Sequence, residues 1–287
     1  MNDTQRRAVI GALQEAYLDI FPASGLEDQL DALPADTTVA VTCSPRKGIE
    51  ATLELVEQVT RRGIRVIPHV SARQVESEAH LRGILARLRH LDVDTVFVPG
   101  GDNPEPVGDF SCAVQLLRIM ADMDHGIDRI GVAAHPERHP IIEDEVLIEH
   151  LQAKQMYATY MVTQMCFDPA AIMDWLADVR AVGVSLPVWV GLPGVIERRR
   201  LLTTSLRIGV GESVGFLRKQ RGLAGRLLAS SQYEPDGLLE GLAPGIANPA
   251  NGISGFHIYS FNQVNSTESW RQDCLRRLET QPQRAEA

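Results

Sequence analysis

Several side chains capable of chemistry fall at the ends of short, apolar, β-rich runs. They are Asp19 in Leu18-Asp19-Ile20-Phe21-Pro22, Thr42, His69 in Ile67-Pro68-His69, Asp102 in Gly100-Gly101-Asp102, His135 and His139 around Pro136 and Glu137, Gln164, and His257 in Phe256-His257-Ile258-Tyr259. A carboxyl can hold or deliver a proton, an amide can pair with both donor and acceptor atoms of a heterocycle, and an imidazole can shuttle protons or bind a metal. Gly100 and Gly101 let the backbone approach a flat or anionic ligand, and Asp102 can accept from a heterocycle N–H. The same three residues also read as a tight turn with a helix-capping Asp. Lys154 reads as a point charge for a phosphate or as a solvated lysine. Four histidines near strand ends raise a zinc hydrolase as a rival. The first strand, however, offers Asp19 in place of a His-x-His pair, and His135 and His139 lie in a proline-punctuated turn, so no metal ligand is assigned.

These side chains need a frame that gathers strand ends at one place. Strands are expected at 17–21, 38–43, 65–69, 95–99, 129–134, 159–163, 187–191 and 255–259, with amphipathic helical stretches between them. The strands recur about every 30 residues, the length of one βα unit, until a longer gap before the last. Runs such as Val39-Ala40-Val41 are continuously apolar, as parallel strands covered on both faces should be. The expected fold is therefore an α/β (β/α)8 TIM barrel, whose reactive groups collect on the βα-loop face. A doubly wound sheet would want a Gly-x-Gly-x-x-Gly turn after its first strand, and 21–25 has none. One barrel domain is expected over residues 1–279, with extra helices before the last strand and a flexible tail at 280–287. Arg198, Arg199, Arg200, Arg218, Lys219, Arg221 and Arg226 in the long gap read either as solvated helix faces or as an anion-binding wall.

Composition narrows the partners. The chain has 287 residues and a formal net charge of −9, which argues against coating nucleic-acid phosphates. Four scattered cysteines form no Cys-x-x-Cys pair and suit a reducing cytoplasm. No apolar run approaches the roughly 18 residues of a membrane span. The expected partners are small molecules, with a homo-oligomer left open.

Taken in order, Ile67-Pro68-His69, Gly100-Gly101-Asp102-Asn103-Pro104, Gly108-Asp109-Phe110, Ala133-Ala134-His135-Pro136-Glu137-Arg138-His139-Pro140, Lys154, Val162-Thr163-Gln164 with Phe167-Asp168, and His257-Ile258-Tyr259 resemble the methylenetetrahydrofolate reductase family. That family reduces 5,10-methylenetetrahydrofolate to 5-methyltetrahydrofolate on a (β/α)8 barrel, usually through FAD reduced by NADH or NADPH. The resemblance implies that Asp19 stands where a family glutamate delivers a proton to N10 of the folate. It also implies that Asp102 and Gln164 hold the pterin edge and favour the iminium cation. Thr42, His69, Asp102, Ala113, His139 and Lys154 match positions that contact FAD, and His135 stands where the family has a tyrosine. Gly100 replaces the arginine of an Arg-Gly-Asp, Cys112 replaces a second tyrosine and Leu147 an aspartate. These departures leave two routes open, one through FAD and one in which the nicotinamide hands hydride directly to the folate. A folate-binding protein or one-carbon transferase without redox chemistry is the alternative.

Overall fold

The computed structural model describes residues 1–207 and 232–280. Eight parallel strands form one sheet: β1 (Tyr17–Ile20), β2 (Thr38–Val41), β3 (Arg65–Pro68), β4 (Thr95–Val98), β5 (Arg129–Ala134), β6 (Tyr160–Thr163), β7 (Val188–Pro193) and β10 (Ile253–Tyr259). Their spatial order is β3-β2-β1-β10-β7-β6-β5-β4. The two outer strands meet through a parallel bridge between His69 and Phe97, and Val70 N–H donates to Phe97 O at 2.8 Å. The sheet is thereby closed into the expected (β/α)8 barrel. All eight strands fall where the sequence places them, with ends that differ by up to two residues.

Side chains of a strand alternate between its two faces, so parity decides what enters the barrel. Tyr17, Ala40, Ile67, Phe97, Tyr160, Val162 and Trp189 pack together in the lumen, with Ala133 against them. Leu18, Ile20, Val39, Val41, Val66, Val96, Val98, Val132, Met161, Val188 and Val190 point outward into the larger core under the helices. Two residues further along each inward row stand Asp19 after Tyr17, Thr42 after Ala40, His69 after Ile67, His135 after Ala133 and Gln164 after Val162. The alternation that fills the barrel floor with aromatic and aliphatic groups thus assigns polar groups to the inward row at its C-terminal rim.

The helices are built locally. Asn2 and Gln5 form a capping box on α1 (Asp3–Gln14), Ser77 caps α4 (Glu78–His90), and Asp168 caps α7 (Pro169–Ala181) ahead of a first-turn proline. The long gap after β7 contains an element that the sequence reading does not anticipate. Strand β8 (Ile196–Glu197) pairs antiparallel with β9 (Gln232–Tyr233), and helix α8 (Arg198–Arg207) follows β8. Helix α9 (Asp236–Ile246) then leads towards β10, in keeping with the extra helices expected there. Met165, Phe167, Ile196, Leu201 and Phe261, with Tyr233 and Tyr259, form a separate apolar cluster joining this element to the ends of β6 and β10. Arg198 donates to Gln232 O and Arg200 to Phe261 O, both at 3.2 Å, so these two guanidinium groups serve the fold. Arg218, Lys219, Arg221 and Arg226 lie outside the described residues, as does the tail beyond Thr280.

The last helix, α10 (Val264–Thr280), holds a buried ion pair whose arginine also bonds α1. Arg271 bonds both carboxylate oxygens of Glu268 at 2.8 Å and also donates to Leu13 O at 2.9 Å, the two side chains being only 7% and 5% exposed. Removing one partner strands a buried charge. Arg271→Ala is therefore expected to cost about 3–5 kcal/mol in a urea unfolding titration, well above the typical surface substitution.

Candidate active site

The C-terminal rim carries two groups of polar side chains. The first surrounds Asp19, whose carboxyl faces the lumen between Ala40 of β2 and Tyr259 of β10 in the strand register. Thr42 Oγ1 donates to Asp19 Oδ1, and Ser260 Oγ donates to Asp19 O. Asn262 brackets the next turn, accepting from Phe21 N at 3.0 Å and donating to Phe21 O at 2.9 Å. Phe261 and Asn262 both sit in the left-handed region at φ 54° and 58°. Two consecutive non-glycine residues there cost about 1–2 kcal/mol each, and the bonds to Phe21 and Ser260 hold them in place.

Burial pushes the Asp19 carboxyl up to about 7, against a smaller opposing effect of the Thr42 hydroxyl, which favours the charged form. The Asp19 charge acts on two phenols, Tyr17 on its own strand and Tyr259 on β10. Burial raises both phenols, so neither competes as a charged neighbour near neutral pH. Beyond them, His257 lies 4.5 Å from the Tyr259 ring and 6.0 Å from the His69 ring, centroid to centroid. Burial lowers both imidazoles, His69 to about 3, so neither carries a charge beside Asp19 near neutral pH, while the Arg129 guanidinium lies over the Tyr160 and Trp189 rings, 5.4 and 5.2 Å from their centroids.

Tyr259 appears in the sequence reading only as part of a motif, yet it joins Asp19 to the pterin-side candidate. Its hydroxyl donates to Thr163 O at 3.3 Å, one residue before Gln164. Gly191 permits this crossing, because a Cβ there would meet Thr163 O at 2.4 Å and the Tyr259 ring at 2.9 Å. The His-x-Tyr spacing on β10 was the available signal, since strand parity sends both side chains inward. Gln164 follows β6, its N–H bonded to Ala134 O at 2.8 Å, while Oε1 accepts from Met165 N at 2.9 Å.

The second group lies over β4 and β5. Asp102 follows β4, and its charge acts on His139, opposing the downward pull of burial on that imidazole. His139 stacks edge-on against His135 at 5.2 Å. Burial lowers His135 to about 3, with the positive charge of Lys154 adding to the effect. Lys154, 8% exposed at the end of α6 (Asp144–Lys154), donates to Ala133 O at 2.6 Å; burial lowers it to about 8, while nearby Cys112 acts in the opposite sense. Ala113 is buried at the first turn of α5 (Ala113–Ala121). Thus Asp102, His139, His135 and Lys154 are coupled to one another, whereas Thr42 and His69 belong with Asp19 and His257. A cleft of about 300 Å³ opens beside His135 between α6 and α7, lined by Arg138, Leu147, Asp174 and Trp175 among others. Among the described residues no three His, Cys, Asp or Glu side chains are grouped to hold a metal ion, and no helix is long and apolar enough to cross a membrane.

A closed (β/α)8 barrel whose inward rows end in a buried carboxyl, an amide and imidazoles is the frame of a rim-site barrel protein. A family profile described as methylenetetrahydrofolate reductase matches residues 27–202. The chain belongs to the methylenetetrahydrofolate reductase family. Among similar proteins, methylenetetrahydrofolate reductase 2 of Saccharomyces cerevisiae is 30% identical over 123 residues, covering 39% of this chain and 20% of that one. Methylenetetrahydrofolate reductase 1 of Schizosaccharomyces pombe is 31% identical over 117 residues, covering 40% of this chain and 18% of that one. The matched segment thus spans about a fifth of the length of these relatives. A solved structure of phosphonopyruvate hydrolase with oxalate and Mg²⁺ superposes with a TM-score of 0.44 at 9% identity, over 67% of this chain and 72% of that one. That likeness contributes nothing to the functional reading.

Proposed function

We propose that the protein reduces 5,10-methylenetetrahydrofolate to 5-methyltetrahydrofolate, with hydride passing directly from NADH or NADPH to the folate at the barrel rim. The observation that carries this reading is Asp19: an inward, buried carboxyl with a hydroxyl donor, protonated over part of the range around neutral pH. The methylene group bridges N5 and N10, and the five-membered ring opens when N10 takes a proton. Asp19 donates that proton, and the bond from N10 to the methylene carbon breaks with its electron pair remaining on nitrogen. The resulting N5 iminium carbon accepts hydride from C4 of the nicotinamide. One proton and one hydride enter, and the oxidised nicotinamide leaves. Asp102 lowers the energy of the cationic intermediate, and the Gln164 amide pairs with the pterin edge. Because the aspartate is one methylene shorter than the family glutamate, the folate sits closer to β1 or the proton travels through a bridging water.

The residues present do not fit a resident flavin dinucleotide. Lys154 is buried on Ala133 O, and the Thr42 hydroxyl is spent on Asp19. Gly100, Cys112 and Leu147 offer neither the bidentate phosphate partner nor the aromatic surface and carboxylate of the family pattern. Thr42 is accordingly assigned to Asp19, and His69 to the barrel interior. His135, His139 and Ala113 remain at the rim beside the nicotinamide nucleotide.

The test is steady-state oxidation of NADH and NADPH by the purified protein, with methylenetetrahydrofolate and no added FAD, alongside its visible spectrum. Turnover by a colourless protein is expected. A near-stoichiometric yellow chromophore would overturn the direct route. Tight folate binding with no oxidation of either nicotinamide, with or without FAD, would replace the reading with a binding protein or one-carbon transferase.

A further inference from the structure

The loop after β4 that carries Asp102 has no regular structure between Val98 and α5, and one side chain outside it bonds three of its main-chain carbonyls. Arg73 lies in the short 3-10 turn Ala72–Gln74 after β3. Its Nε donates to Asn103 O at 2.7 Å, Nη2 to Pro104 O at 2.6 Å and Nη1 to Ser111 O at 3.0 Å. Its backbone N–H donates to Gly100 O at 2.9 Å, and its carbonyl accepts from Val107 N at 3.0 Å. Asp102 is therefore held on both sides, at Gly100 and at Asn103, by one residue of a neighbouring loop. The guanidinium reaches on to Ser111, immediately before Cys112 and α5. Gly108 lets the two loops close up, since a Cβ there would sit 1.9 Å from Glu76 O, and Asp109 N donates to that same oxygen at 3.0 Å.

We propose that Arg73 is a positioning residue that fixes the β4–α5 loop and thereby sets where the Asp102 carboxylate meets the folate. The chemistry suits arginine. A planar fork with five N–H donors and permanent charge can satisfy three carbonyls at once, whereas a lysine ammonium is a compact charge without that planar geometry. Charge-assisted bonds of this kind are stronger than neutral ones, and a displacement of about 1 Å at a reacting group can cost about a hundredfold in rate. This inference rests on the reductase reading for the role of Asp102, while the clamp itself does not.

The experiment compares the wild type with Arg73→Ala, Arg73→Lys and Asp102→Asn, and with the Arg73→Ala/Asp102→Asn pair. Turnover, folate KM and hydrogen–deuterium exchange of residues 100–112 are measured on each full-length chain. Arg73→Ala is expected to lower kcat roughly 10- to 100-fold with little change in KM and to speed exchange over 100–112, while α4 and α7 keep their protection. Arg73→Lys should fall between the two and serves as the test if the alanine variant does not fold. In the Asp102→Asn background, removing Arg73 should cost less than about twofold, because its effect is exerted through the missing carboxylate. Equal losses in both backgrounds, or faster exchange with unchanged kcat, would overturn the positioning role. Unchanged exchange over 100–112 would overturn the clamp. If the wild type oxidises neither nicotinamide with folate, the reductase reading falls and the role assigned to Arg73 falls with it, while exchange still decides the clamp.

Discussion

Asp102→Asn is expected to lower kcat by about 100- to 1,000-fold while leaving the folate KM within about threefold. The two side chains have nearly the same shape, so the loop, with its Arg73 bonds made to main-chain oxygens, has no reason to move. What changes is charge. In the neutral substrate an amide and a carboxylate can both accept from a pterin N–H, so ground-state binding is largely kept. In the iminium intermediate only the carboxylate offsets the developing positive charge, and because Asp102 is exposed at the rim, the size of that difference depends on how far the bound folate and nicotinamide displace water from it. A loss confined to KM would make Asp102 a binding group. Unchanged kinetics would remove it from the mechanism.

The second large effect concerns Asp19 and has opposite signs for activity and stability. A proton donor works in its protonated form, so kcat/KM should fall about tenfold per pH unit above the pKa of about 7. Thr42→Val removes a donor that favours the charged carboxylate and should move this limb to higher pH, while Thr42→Ser should leave it in place. Asp19→Asn should flatten the limb and cost about 100- to 10,000-fold in turnover. For stability, the folded carboxyl titrates near 7 and the unfolded one near 3.8, so the folded state binds more protons between these values. Stability must then decline as pH rises through that window, by about 4 kcal/mol for a shift of this size. Asp19→Asn should therefore be more stable than the wild type at pH 8 and close to it at pH 4. Denaturant titrations at the two pH values check the sign, and equal stability at both would mean that Asp19 is not desolvated.

The barrel was legible because its signals repeat. Seven apolar runs at a near-regular interval, with an eighth after a longer gap, point to this frame, and period two then sends Asp19, Thr42, His69 and Gln164 inward without any knowledge of contacts. The paired residues Ile196–Glu197 and Gln232–Tyr233 escaped because a two-residue strand has no periodicity to read. Lys154 and Thr42 show a different limit. Position at a strand end predicts that Thr42 reaches the rim but not that its hydroxyl is taken by Asp19, and whether Lys154 turns to a phosphate, to solvent or to Ala133 O depends on a carbonyl 21 residues away. Arg73 was invisible for the same reason, since its three partners lie 30 to 38 residues along the chain and are all main-chain oxygens. A main-chain acceptor leaves no trace in residue type.

Deuterium transfer tests the central claim most directly. Methylenetetrahydrofolate is turned over with NADH, or NADPH if that is the donor used, deuterated at the transferred C4 position, in ordinary water. The 5-methyltetrahydrofolate formed is then examined by mass spectrometry. Direct transfer predicts one deuterium in the methyl group of nearly every product molecule. A methyl group carrying solvent hydrogen at that position would mean that the hydride had passed through an exchangeable carrier, and would contradict the account.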